Sequence, residues 1–292
     1  MNRRPIALFA AALIALLAAA PAWAQPKAAK APATRPAARK TAPEDPVVAR
    51  KYADLVAALP ADEQAWERTL QENLGSFYLP IHKRTRVQGR SSCWDFVRDD
   101  PKLPRVLILG DSISIGYTPF VRELMAGKAN VHRPNENCQS ARHGVAKVDA
   151  WVGKGPWAVI HFNFGLHDLK YIDGKGTLTD VSKGKQQVPL DEYEQDLRKI
   201  VERLKQTNAK LIWCATTPVP KGAKGRVPGD EVKYNEVAAK VMKDMGVEIN
   251  DLYTFANERL DKIQLPANVH FTKDGSKELA KVCVEAIEKQ LK

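Results

Sequence analysis

The chain has 292 residues, 44% of them hydrophobic and 27% charged, with a formal net charge of +11. That length suits one domain whose core stands without metals or disulfide staples. More than half of the charge sits on Arg3, Arg4 and the segment 25–50, where six basic residues face Glu44 and Asp45. The remainder is ordinary and carries no basic stripe interleaved with aromatics, which excludes a nucleic-acid partner.

Arg3 and Arg4 precede an apolar run from Ile6 to Ala20 and then Ala22-Trp23-Ala24. A basic start, a short hydrophobic stretch and an Ala-x-Ala exit describe a signal peptide, 1–24, cut after Ala24. The run, at about fifteen residues, falls short of the roughly twenty that span a bilayer. The expectation is an exported protein, periplasmic or secreted, without stable membrane insertion. Residues 25–48 are almost wholly Ala, Pro, Lys, Arg and Thr, and read as a disordered linker with nothing large to bury. Residues 49–103 form a lead-in expected to pack on the main body. It is helical from Val47 to Leu74 with a break near Pro60, and irregular from Gly75 to Pro104.

From Pro104 to the end, strand and helix patterns alternate about five times. Val106–Leu109 reads as a strand buried on both faces, and Thr118-Pro119 opens a helix. Ala129–His132 is a second strand, followed by a polar loop at Asn135–Ser140 and a helix over Gly144–Trp151. Trp157–Phe164, Leu211–Thr217 and Val247–Ile249 read as further strands. Helices cover Leu190–Gln206, Tyr234–Met245 and Ser276–Leu291, and Gly- and Lys-rich loops fill Lys170–Pro189 and Pro218–Gly229. Such alternation predicts an α/β fold: a three-layer α/β/α, flavodoxin-like domain over 104–292 around a parallel sheet of about five strands.

The four cysteines, Cys93, Cys138, Cys214 and Cys283, match no zinc spacing. Cys214 and Cys283 fall at apolar positions and read as core, while a Cys93–Cys138 bridge is open. Isolated histidines such as His82, His132 and His143 read as structural.

In a parallel sheet the polar residues at the carboxyl ends of the strands gather on one edge. Here they are Gly110-Asp111-Ser112 after the first strand, Asn137-Cys138 after the second, and Asn163 to Asp168 after the third. Thr216 and Thr217 follow the fourth, and Asn268-Val269-His270-Phe271-Thr272 precedes the last helix. An early serine, an amide-rich middle and a late histidine supply a nucleophile, oxyanion donors and a general base for acyl transfer.

At these residues the chain resembles the SGNH/GDSL hydrolases, from about Arg105 to Leu291. Gly110-Asp111-Ser112-Ile113 is similar to the first block of that family, which implies Ser112 as nucleophile. Asn137-Cys138-Gln139-Ser140 resembles the second, with Cys138 at the oxyanion glycine. Gly165-Leu166-His167-Asp168 resembles the third, normally Gly-x-Asn-Asp, with His167 at the asparagine; Asn163 could supply a replacement amide. His270 fits the histidine of the fifth block, normally Asp-x-x-His, but Ala267 holds the aspartate position. His270 would then be oriented by Asn268 or a backbone carbonyl, by an acid such as Asp168, Asp251 or Asp261, or the site would be dead. The resemblance implies a carboxylic ester hydrolase with no metal and no cofactor. Its expected oxyanion donors are Ser112, Cys138, Asn163 and His167, and its expected substrate is a small-molecule or glycan ester. Exported relatives often remove small acyl groups from saccharides, and the two polar loops suit a sugar, so carbohydrate O-deacetylation is expected. The alternatives are a lipid esterase or thioesterase, an acyl transferase between glycans, or an inactive periplasmic glycan binder.

Overall fold

The computed structural model describes residues 45–292. The expected signal peptide and most of the expected linker lie outside them. Helix α1 (Pro46–Ala57) begins inside the segment read as linker. Asp45 caps it, its side chain accepting the Val47 N–H at 2.9 Å, and Pro46 stands where a missing N–H costs nothing.

Helix α2 (Ala61–Asn73) follows, and then α3 (Gly75–Val87), which corrects the irregular reading of that stretch. Gly75 and the internal Pro80 argue against a helix locally. Tertiary anchoring overrides them, because buried Glu67 on α2 meets three donors. Tyr52 Oη gives its proton at 2.6 Å, and from α3 His82 Nε2 approaches to 2.8 Å and Arg86 Nε to 3.0 Å. The other two histidines read as structural also face acids, His132 with Asp99 and His143 with Glu136.

The main sheet holds five parallel strands, β1 (Arg105–Leu109), β2 (Asn130–His132), β3 (Val159–Phe162), β6 (Lys210–Cys214) and β7 (Glu248–Asn250). A separate antiparallel pair, β4 (Tyr171–Ile172) and β5 (Lys185–Gln186), lies within the long loop after β3. The main order is β2-β1-β3-β6-β7, so connections run outward in both directions from the β1/β3 pair. Leu109 lies opposite Phe162, and both strands end at that level. Crevices at such a reversal are where open α/β sheets bind ligands.

Helices α4 (Ser112–Leu124) and α10 (Lys273–Leu291) pack together on one face, with α8 (Leu252–Asn257) and α9 (Leu260–Ile263) against α10. On the other, α6 (Leu190–Lys205) packs between α5 (Ala141–Val152) and α7 (Asp230–Asp244). The three-layer α/β/α architecture is the one expected. Val106–Leu109 are all buried, and α6 turns Tyr193, Leu197, Ile200, Val201 and Leu204 inward. All four cysteines are free and buried. Cys214 and Cys283 sit in the main core as expected, whereas Cys93 and Cys138 belong to different core clusters and form no bridge.

Just past β3 the backbone runs tight against Thr216. A Cβ added to Gly165 would meet Thr216 Oγ1 at 2.0 Å. That hydroxyl also donates to Phe164 O at 3.1 Å, so it cannot yield without losing a bond. Gly165→Ala should destabilise the fold by about 3 kcal/mol, as overpacked cores do. Urea unfolding of the variant checks this, and an unchanged midpoint would refute it.

Candidate active site

Ser112 is the first residue of α4, six residues before the helix start expected from Thr118-Pro119. Asp111 makes the earlier start possible, its Oδ1 accepting the Ile113 N–H at 2.9 Å. Pro119 is then carried inside the helix. The Ser112 amide, in the first turn, has no acceptor within its own helix and points out of the N-terminus.

His270 reaches this serine from the loop between α9 and α10, its Nε2 2.8 Å from Ser112 Oγ. The loop closes on itself, Leu265 N–H donating to His270 O at 2.9 Å and Asn268 N–H to Leu265 O at 3.2 Å. Pro266 and Ala267 are the middle residues of that turn, and Ala267 has φ +52°. Proline second and positive φ third describe a type II turn. The position where a family aspartate would stand is therefore spent on the turn.

Asn268 takes over beside the ring. Its Oδ1 lies 2.8 Å from His270 Nδ1 and 3.1 Å from the His270 backbone N–H. A backbone N–H can only donate, so the atom facing it is the amide oxygen. That oxygen in turn requires Nδ1 to carry the proton, which leaves Nε2 as the acceptor facing Ser112. His270 stands at the surface, yet partial burial of its ring pulls its pKa below the ordinary imidazole value. The Asp111 charge opposes this and Arg226 adds to it.

Five expected participants are placed elsewhere. Asp168 is wholly buried, accepts the Ala141 N–H at 2.7 Å and anchors the start of α5 rather than His270. Burial drives its carboxyl well above the usual range. Cys138 N–H is already given to Gly110 O at 3.3 Å, so it is not a free oxyanion donor. Asn163 Nδ2 donates across the sheet to Cys214 O at 2.7 Å and to Thr216 Oγ1 at 3.2 Å. Asp251 caps α8 through Thr254, and Asp261 lies exposed on α9.

His167 keeps a free donor. Lys170 Nζ lies 3.0 Å from its Nδ1, and an ammonium can only donate. The ring is thus neutral with its proton on Nε2. Burial first, then the charges of Lys170 and Arg226, hold its pKa well below the usual value. Neither Lys170 nor Arg226 stands out in the sequence, because both lie in segments that read as solvated loop.

The lead-in supports the second loop. Tyr78 Oη accepts from Asn137 Nδ2 at 2.9 Å, and Arg122 of α4 donates to the carbonyls of Ser92 and Asp95 at 3.3 Å. A groove of about 1050 Å³ runs between lead-in and domain, bordered by Phe96, Arg98, Gly116, Phe120, Phe271 and Lys273. Phe271 follows His270 in the chain, but neither His270 nor Ser112 lines the groove. Among the described residues, the metal-capable grouping is His161, Cys214 and Cys283, with donor atoms within 4.8 Å of one another. All three are buried in the core.

No family model matches this chain, and no curated protein does. Solved structures do. The chain is similar to a lipase/acylhydrolase from Enterococcus faecalis, at 16% identity and a TM-score of 0.53, over 64% of this chain and 96% of that one. It is similar to an acetyl xylan esterase at 16% identity and a TM-score of 0.51, over 63% and 99%. A GDSL-like lipase from Bacteroides thetaiotaomicron matches at 16% identity and a TM-score of 0.50, over 71% and 97%.

Proposed function

We propose, taking as premise that this chain has the SGNH/GDSL hydrolase fold, that it is an exported serine esterase. The observation that carries the proposal is the continuous Ser112–His270–Asn268 hydrogen-bond chain. Ser112 Oγ attacks the ester carbonyl while His270 Nε2 accepts its proton. His270 then returns that proton to the departing alkoxide. Water repeats the sequence on the acyl-enzyme, releasing the acid and restoring Ser112. Asn268 Oδ1 stabilises the transient imidazolium through Nδ1–H, less strongly than a carboxylate would. The oxyanion is held by Ser112 N–H and His167 Nε2–H, without Cys138 or Asn163.

For the substrate we propose a small acyl group, acetyl foremost, on a carbohydrate. An acetyl xylan esterase is among the similar structures, and the groove between lead-in and domain, whose Phe271 follows His270 in the chain, offers Phe96, Phe120 and Phe271 together with cationic side chains. Aromatic faces with polar rims suit sugar rings better than a fatty chain.

The test is release of p-nitrophenol from p-nitrophenyl acetate, together with labelling at Ser112 by a serine-directed phosphonate. Absence of both, alongside tight glycan binding, would favour an inactive binder instead. Within the active protein, His167→Ala should lower kcat about 10²-fold with little change in KM, the usual cost of one oxyanion donor. An unchanged kcat would remove His167 from the reaction.

A further inference from the structure

Two cations flank His167, the proposed oxyanion donor, and neither is ion-paired with an acid among the described residues. Arg226, from the loop after β6, donates Nε–H to Leu166 O at 3.1 Å and Nη1–H to Lys224 O at 3.4 Å. Three of its five N–H groups are left unengaged. Lys170 gives one proton to His167 Nδ1 and keeps two. Both side chains are half-buried, and neither forms an ion pair among the described residues.

The two segments are joined, Tyr171 N–H donating to Gly225 O at 2.8 Å, and both side chains reach the Leu166-His167 turn. Burial, and then repulsion from Arg226, bring the Lys170 ammonium down to about 8. The Arg226 charge also reaches His167 and His270. The acidic group that acts on both is Asp111, which is wholly buried and caps α4. With both histidines neutral, the acids acting on the two cations are the buried Asp111 and, for Lys170, the buried Asp168, and neither is ion-paired with Lys170 or Arg226. A half-buried guanidinium with a free planar edge matches the two oxygens of a carboxylate.

We infer that Arg226 and Lys170 form a subsite for an anionic group, a carboxylate or similar oxyanion, carried by the substrate next to its scissile ester. The inference rests on the esterase reading above. The anion can belong to the acyl part, as in a dicarboxylic half-ester, or to the alcohol part, as in an acylated uronic acid. The chemistry of recognition is the same for both.

Matched ester pairs separate the two sources. For the acyl side, mono-4-nitrophenyl succinate is compared with 4-nitrophenyl butyrate. For the alcohol side, 4-acetoxybenzoate is compared with 4-acetoxybenzamide. In one of the pairs kcat/KM should favour the charged member by about tenfold or more at low ionic strength, and added salt should shrink the ratio. Arg226→Gln should erase the preference, and Arg226→Lys should keep part of it. Ratios near one in both pairs would overturn the inference while leaving the esterase reading intact. So would an equal loss on charged and neutral esters in Arg226→Gln, because the guanidinium would then serve the oxyanion alone. If no ester is turned over, calorimetric titration of the full chain with succinate and with methyl glucuronide decides. Binding that Arg226→Gln abolishes supports the subsite, and absence of binding refutes it.

Discussion

Ser112→Ala and His270→Ala should each cost about 10⁴- to 10⁶-fold in kcat on p-nitrophenyl acetate, with unfolding midpoints unchanged. The reason is the single 2.8 Å link between Oγ and Nε2, through which the proton must leave the nucleophile. Without the imidazole the hydroxyl attacks at its ordinary, high pKa; without the hydroxyl the imidazole has nothing to activate. The two losses are therefore one loss. The double variant should fall within about threefold of either single one, because residues that act as a unit are not additive. Steady-state kinetics on the three variants, with denaturation curves beside them, checks this. Single variants keeping a tenth of the activity would rule out the proposed mechanism.

The second large effect belongs to Asn268. Replacing it with leucine, similar in size but unable to accept a hydrogen bond, should lower kcat about 10²-fold, since the ring then loses both its orientation and its tautomer. Asn268→Asp should act in the opposite sense. His270 works only when neutral, and burial holds its pKa low, so wild-type kcat/KM should reach half its plateau below pH 6.5. A carboxylate at Nδ1 favours the protonated ring and should move that limb upward by about one pH unit or more. On the plateau above it the rate should rise, because the imidazolium formed in the transition state gains a full countercharge. A profile from about pH 4 to 8 for the three proteins reads both effects. An acid limb that stays in place in Asn268→Asp would show that Asn268 does not govern the ring.

Much of this was legible in the chain itself, for reasons that are local. The apolar run Val106–Leu109 announces a buried strand, and it is there, while the helix that follows begins at Ser112 rather than at Thr118-Pro119. The five parallel strands follow from the alternation. Helix α3 was hidden because Gly75 and Pro80 speak against it, and only Glu67, on another helix, makes it worthwhile. At the site, Ser112 and His270 were readable from their motifs, and Asn268 was one of the orienting groups in view. Cys138 and Asn163 misled, because whether an N–H is free depends on acceptors remote in sequence, Gly110 O and Cys214 O. Lys170 and Arg226 were invisible for the converse reason. A lysine or arginine in a glycine-rich loop is usually solvated, and nothing nearby in sequence tells that these two meet at the Leu166-His167 turn.

The bond between Tyr78 and Asn137 has a practical corollary. A designer seeking a minimal catalyst would be tempted to begin at Pro104, where the strand-helix alternation starts. Doing so would strip the prop from the loop that carries Cys138 and Gln139, and would bare the Leu70, Leu74, Cys93 and Trp94 cluster's contact surface on Ile115, one turn along from the nucleophile. The opening helices are thus a scaffold for the rim, and a shortened protein would inherit the sheet without the posture of its edge.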